Sequence, residues 1–337
     1  MIRLMLEPRE IAVIQSLVDE VATRYAFSDS PDLLDAVTVY AQELPRRLRN
    51  CINDFRIKEP DCAICVISGY PIGHSKVGRT PEHWKLREGR SPAFEEEVYL
   101  MLCGSLLGDC IAWATQQDGH VVHDIFPIKG LEHEQLGTGS EELLWWHTED
   151  AFHPLRGDYL GMMCLRNPDR VPTTFAPLTG IRLAPEQWQL LFEPHFTIRP
   201  DESHLLKNRG NPGDSEVAES YQQIEVMNTR SDKIAVLYGD SDAPYVRIDP
   251  YFMDPADDPA AQEALDALIK AIEARLADVV LESGDLCFID NFQGVHGRKP
   301  FKARYDGNDR WLKRINITRD LRKSRAARRA ANSRIIL

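Results

Sequence analysis

The chain has 337 residues, a formal net charge of −12, and 43% hydrophobic against 27% charged residues. That length can bury a substantial core without covalent staples, and the acidic balance argues against a nucleic-acid binder, which needs a basic face to neutralise phosphate. No apolar run approaches the length that spans a bilayer, and the N-terminal MIRLMLEPRE lacks the apolar stretch of a secretory leader, so a cytoplasmic, reduced setting is expected. Seven cysteines, odd in number and sparse, do not form a disulfide framework. Cys62-Ala-Ile-Cys65 has C-x-x-C spacing but stands alone and opens the apolar run CAICVISGY, which reads as a buried strand.

Residues 1–108 read as largely helical. Ile11, Ile14, Leu17, Val18 and Val21 recur at helical spacing after Pro8. A second run from Asp32 toward Arg56 carries Leu34, Val37, Leu44, Leu48 and Cys51, and Pro45 should kink or divide it. A third spans Phe94 to Leu107. After Asp109 the texture changes to short apolar or alternating segments between turn residues: CIAWATQ, HVVHDIFP, ELLWWHTED, YLGMMCLR, KIAVLYG, YVRID, DLCFID and RINIT. Such a series predicts a sandwich or barrel rather than a parallel βαβ sheet. One amphipathic helix interrupts it, with Ala261, Leu265, Leu268, Ile269, Ile272 and Leu276 on one face. The polar segment 200–230 predicts a long loop or lid. The basic tail 319–337 reads as a solvated surface helix packing on the acidic body. The expected architecture is one α+β domain over 1–337, with a mainly β core over 109–318 and helical elaborations.

The chemistry concentrates in two places. In WWHTEDAF, His147 and Glu149 are two apart, so on a strand both reach one metal ion. GDLCFIDNFQGVHGR supplies His296, just after a predicted strand, as a third ligand. Two histidines and a carboxylate on one face of an octahedron leave the remaining positions open, as in non-haem Fe(II) oxygenases. A lone H-x-E is weak, since a buried structural histidine is the commoner outcome. Arg310 and Arg314, however, lie fourteen and eighteen residues beyond His296 in DRWLKRINIT, on one face of a strand with Leu312 and Asn316. Planar guanidinium forks hold carboxylates, and a dicarboxylate cosubstrate needs one at its end remote from the metal.

These segments resemble the clavaminate synthase-like Fe(II)/2-oxoglutarate-dependent oxygenases, in particular the free-arginine hydroxylases of peptide-antibiotic biosynthesis. The likeness runs through ELPRRLR, GDCIAWATQQDG, WHTEDAFHPLRGDYLG, LRNPD, RPDESHL, IDNFQGVHGR and RYDGNDRWLKRINITRDLRKSR, in one order from about residue 43 to 325. It implies a distorted double-stranded β-helix, or jelly roll, and an iron triad of His147, Glu149 and His296. It implies that Arg310 grips the distal carboxylate of 2-oxoglutarate with help from Thr174, neighbouring Thr173 being the lesser candidate. For a free amino acid it implies contacts from Gln116 to the amino group, Arg314 to the α-carboxylate and Asp249 to a guanidinium, with Glu149 beside them. A second guanidinium-reading aspartate is replaced here by Tyr251, and Asp240 or Asp242 could supply the missing charge.

The implied reaction consumes O2 and 2-oxoglutarate, releases succinate and CO2, and hydroxylates L-arginine at Cβ, with Cγ or two successive hydroxylations as variants. Lysine or asparagine is the next substrate. A zinc hydrolase would use the same three ligands but leaves Arg310 and Thr174 without a purpose. A non-catalytic β-barrel would make the whole constellation coincidental. Oligomeric state is not legible.

Overall fold

The computed structural model of the chain describes residues 1–210 and 215–337. Its frame is two sheets. The larger has eight strands, in the order Ile2–Met5, Ile64–Ser68, Leu286–Asp290, Tyr159–Arg166, Trp311–Thr318, Asp109–Trp113 and Ile335–Ile336, with His123–Ile125 also paired to Trp311–Thr318. Its four central pairings are antiparallel, while the two outermost, at either edge, are parallel. The smaller sheet runs Ala277–Val279, Thr173–Pro177, Gly294–Arg298, Leu144–His147, antiparallel throughout. Leu160, Met162 and Ile289 of the first sheet form one buried cluster with Phe175 and Val279 of the second. The space between the sheets therefore holds one apolar layer.

Helices cover the outer face of the larger sheet. Pro8–Arg24 starts with proline in its first turn, and the Glu7 N–H donates to Glu10 Oε2 at 2.8 Å, a cap that satisfies an otherwise orphaned donor. It buries Ile14, Leu17, Val18 and Val21. Pro45 divides the next run into Pro31–Tyr40 and Arg46–Lys58. Phe94–Gly104 lies against the strands Tyr159–Arg166 and Trp311–Thr318. Pro259–Glu273 buries Ala261, Leu265, Leu268 and Ile272 and packs on the short helix Pro185–Leu191.

The first 108 residues are largely helical, with the strand expected at CAICVISGY present as Ile64–Ser68 and a further one at Ile2–Met5. His296 follows the strand Leu286–Asp290 and is itself part of the next one, Gly294–Arg298. Two expectations are corrected. Segment 200–230 is not a structureless loop: it carries 3-10 turns at Glu202–His204 and Leu206–Asn208 and the helix Ser215–Thr229. Tyr221 and Ile224, three apart, bury that helix's inner face, and residues 211–214 of the expected lid lie outside the described ones. The basic tail forms a 3-10 run, Leu321–Ala327, and the strand Ile335–Ile336. Buried Arg328 folds it back by donating to the carbonyls of Leu321, Ala330, Ala331 and Ser333 at 2.6–3.0 Å.

The strand Trp311–Thr318 separates two charged environments. Its outer face carries Lys313, 1% exposed, paired with Glu97 Oε1 at 2.8 Å and Asp124 Oδ1 at 2.5 Å. Trp311 Nε1 donates to the same Asp124 oxygen, and Arg87 reaches Glu97. Removing one member of a buried ionic group leaves its partners uncompensated. Lys313→Ala should therefore lower stability by about 3–5 kcal/mol, whereas exposed Lys58→Ala should change it by less than about 0.5 kcal/mol; denaturant melts of the two variants compare them directly.

Candidate active site

His147 ends the strand Leu144–His147 and stands directly opposite His296 in the antiparallel register. Glu149 lies past the strand end. Alternation nevertheless persists for two more residues, because Thr148 pairs with Ile248: its N–H donates to the Ile248 carbonyl at 2.9 Å and its hydroxyl accepts the Ile248 N–H at 3.1 Å. The chain then turns at Asp150, a non-glycine residue at φ +51°. Asn291 locks that turn. Its side chain accepts the Glu149 N–H at 2.6 Å and donates to the carbonyls of Glu149 and Gly157 at 3.0 and 2.8 Å.

Glu149 Oε2 is consequently 3.6 Å from His147 Nε2 and 3.3 Å from His296 Nε2, with all three side chains largely buried. Their ligand atoms lie within 4.8 Å of one another. His147 Nδ1 is 2.8 Å from the Trp145 carbonyl, which can only accept, so Nδ1 carries a hydrogen and Nε2 faces the carboxylate. A histidine oriented in this way by a carbonyl suits metal ligation. Burial disfavours charge on His147, but Glu149 and Asp249 overcome it and push its pKa up to about 9. Burial raises the Glu149 carboxyl and is outweighed by Arg314 and the two histidines, which hold it well below the usual range. The group is fit to hold a divalent metal once one proton leaves.

Around the triad the cavity is lined by Ile125, Leu160, Met162, Asp201, Ser203, Asp249, Tyr251, Arg298, Arg310, Leu312 and Arg314, among others. Arg310 is its most unusual wall. The guanidinium is buried, its Nη2 donates to Thr173 Oγ1 at 3.3 Å, its Nε has no partner, and no carboxylate neutralises it among the described residues. Burial pushes its pKa down to about 10. Arg298 beside it is buried too but donates to the carbonyls of Gly139 and Glu142. Arg314 is by contrast well held, pairing with Glu149 and donating from Nη2 to His123 Nδ1 at 2.8 Å and Gln116 Oε1 at 3.3 Å.

Thr173 rather than Thr174 meets Arg310. The two alternate on their strand, and Thr174 pairs with Gly297, its hydroxyl 3.0 Å from where a Cβ on that glycine would stand. Asp249 is buried in the cavity wall, its carboxyl raised to about 6 by burial against the lowering effect of His147. Asp240 and Asp242 are exposed on the turn between Leu237–Gly239 and Pro244–Val246 and line no part of this cavity. Tyr251 is half-exposed on the cavity wall, in edge contact with Phe252. Gln116 is buried and donates to Asp150 and Ser203 at 3.2 and 2.6 Å.

Asp201 and Ser203 were missed in the sequence reading. Asp201 caps a 3-10 turn, with its Oδ1 accepting the Ser203 N–H at 2.8 Å. The Asp-x-Ser capping pattern in RPDESHL was the available signal. His123 was missed as well, although it is two residues from Ile125 in a strand and alternation sets both on one face.

Two imidazoles and a carboxylate facing an unneutralised buried guanidinium define a metal-dependent oxygenase site with room for a dicarboxylate, held between two sheets. Residues 188–316 match the family described as Taurine catabolism dioxygenase TauD, TfdA family. Enduracididine beta-hydroxylase of Streptomyces hygroscopicus is 45% identical over 342 residues, covering 100% of both chains. L-ornithine/L-arginine 3-hydroxylase of Catenulispora acidiphila is 45% identical over 341 residues, covering 99% of each. The crystal structure of the non-haem iron oxygenase OrfP with Fe, succinate and (3S)-hydroxy-L-Arg superposes with a TM-score of 0.95 at 44% identity, over 100% of both chains. The chain belongs to the clavaminate synthase-like family of non-haem Fe(II), 2-oxoglutarate- and O2-dependent oxygenases.

Because metal must displace the His147 proton, affinity for a divalent metal should rise about tenfold per pH unit through neutrality and level off near the His147 pKa of about 9. Metal titrations across that range, with His147→Ala as the binding-deficient control, check both the slope and its plateau.

Proposed function

We propose that the protein hydroxylates free L-arginine at Cβ, converting 2-oxoglutarate and O2 to succinate and CO2. The observation that carries this reading is the charge pattern of one cavity: an unneutralised guanidinium, Arg310, on the 2-oxoglutarate side, and buried Asp249 with Asp201 on the substrate side. A dianion and a cationic amino acid complete that pattern, since an unpaired buried charge is costly. Relatives at 45% identity act on arginine or a β-position, and the solved relative holds a 3-hydroxylated arginine. A distorted double-stranded β-helix as the frame and one domain over the whole chain agree with this assignment.

In this reading His147, Glu149 and His296 hold Fe(II), which with 2-oxoglutarate and O2 supplies the oxidant that replaces a C–H by C–OH. Arg310 and Thr173 hold the distal carboxylate of 2-oxoglutarate. Arg314 meets the α-carboxylate of the amino acid, Gln116 and Glu149 its amino group, and Asp249 with Asp201 its guanidinium. Asp201, not Asp240 or Asp242, supplies the second acid in this reading, and the segment 200–210 that bears it forms one side of the cavity. Holding both ends of the substrate is what selects a carbon, because the oxidant acts on whichever C–H lies nearest.

The test is anaerobic loading with Fe(II) and 2-oxoglutarate, then air and a panel of L-arginine, enduracididine, L-ornithine, L-lysine and L-asparagine. Succinate formed in step with a product one oxygen heavier than arginine is the expected result; a second oxygen would reveal successive hydroxylation. Coupling to lysine alone, or no succinate with any of them, would sink the arginine assignment. Arg310→Lys should raise the KM for 2-oxoglutarate on the order of tenfold or more, because a point charge replaces a fork. Asp249→Asn should raise the KM for arginine by a similar factor and leave that for 2-oxoglutarate unchanged.

A further inference from the structure

Arg314 is the hinge between two cavities. On one side lies the triad; on the other is a second hollow lined by Trp84, Lys85, Gln117, His123 and Asn208, which shares Arg314 and Ser203 with the first. His123 is 3% exposed and sits opposite Arg314 in the pairing of His123–Ile125 with Trp311–Thr318. The sequence reading gave it no role, and the iron triad does not use it.

The contact between these two residues has only one chemical form. A guanidinium has donors and no acceptor, so the 2.8 Å approach of Arg314 Nη2 to His123 Nδ1 requires a lone pair on Nδ1. The ring hydrogen is then on Nε2, which is buried at the edge of the second cavity without a partner among the described residues. Burial and the Arg314 charge both disfavour the doubly protonated ring. Neutral His123 and the Gln116 side-chain oxygen together occupy Nη2, while Glu149 occupies Nη1. That leaves the buried Arg314 Nε–H without a partner among the described residues. A fork held at three points can present its remaining edge in one orientation only.

We propose that His123, as the neutral Nε2–H tautomer, is a positioning residue that fixes Arg314 for recognition of the substrate's α-carboxylate. It never touches substrate or metal; it acts by being an acceptor at one position. Without it, Arg314 keeps its charge and its partners Glu149 and Gln116 but loses the shorter of the two contacts that fix Nη2, so carboxylate binding suffers while the oxidation chemistry is spared. The inference rests on the reading that Arg314 meets that carboxylate.

The test uses the enzyme loaded with Fe(II) and 2-oxoglutarate, anaerobic calorimetry of ligand binding, and steady-state kinetics in air. His123→Leu removes the acceptor and keeps apolar volume; His123→Asn restores an oxygen near the Nδ1 position. L-argininamide, whose carboxylate is a neutral amide, is compared with L-arginine. For His123→Leu, arginine binding and KM should worsen about tenfold with kcat changed less than about threefold, and argininamide binding should be unaltered. His123→Asn should recover most of the loss. Unchanged arginine binding in His123→Leu, equal losses for arginine and argininamide, or no recovery in His123→Asn would each overturn the proposal. A wild-type enzyme that binds no free amino acid would overturn the arginine-hydroxylase reading itself, a result recognisable before any variant is made.

Discussion

In the smaller sheet His147 faces His296 across an antiparallel pair, and the rest of the site is arranged around that register. Side chains along a strand alternate between faces, so a slip of one residue would send one imidazole into the opposite layer and leave no pair to share an ion. Two neighbours hold the register to its task. Thr148 extends the pairing onto Ile248 and so sets Asp249 beside the triad. Asn291, at the end of a strand of the other sheet, clamps the turn that carries Glu149.

Charge is distributed unequally around this centre. Arg314, Glu149 and the histidines form a compact, mutually neutralising set. On the same strand, Lys313 points the other way into an acid pair beneath the helical layer. Arg310, two residues before Leu312, has neither kind of compensation. The strand Trp311–Thr318 and the residue just before it thus carry a structural cation, a held cation and an unneutralised cation, distinguished by the acids that the neighbouring elements bring to each.

Much of this was legible in the residues. The apolar spacing after Pro8, the division at Pro45 and the shared face of Arg310, Leu312 and Arg314 all follow from local periodicity and proline geometry. The ligands were legible because H-x-E and a distant histidine gain meaning beside two arginines. What escaped notice depended on partners remote in sequence. Alternation distinguishes Thr173 from Thr174 only once the face toward Arg310 is known. The helix Ser215–Thr229 was hidden by its polar composition, since its burial rests on Tyr221 and Ile224 meeting loops far along the chain. Asp201 fell within the expected lid at 200–230 without a role of its own, because nothing local singles out its turn as the part that lines the cavity.

The unneutralised Arg310 has a bearing on the protein's persistence as well as its chemistry. A buried cation without a counter-charge weakens the folded state relative to the unfolded one, where water solvates it. Any dicarboxylate that binds only the folded chain then adds stability by mass action. The cosubstrate is in that sense part of the folded architecture, and the amount of intact enzyme becomes tied to the supply of a central-metabolism acid.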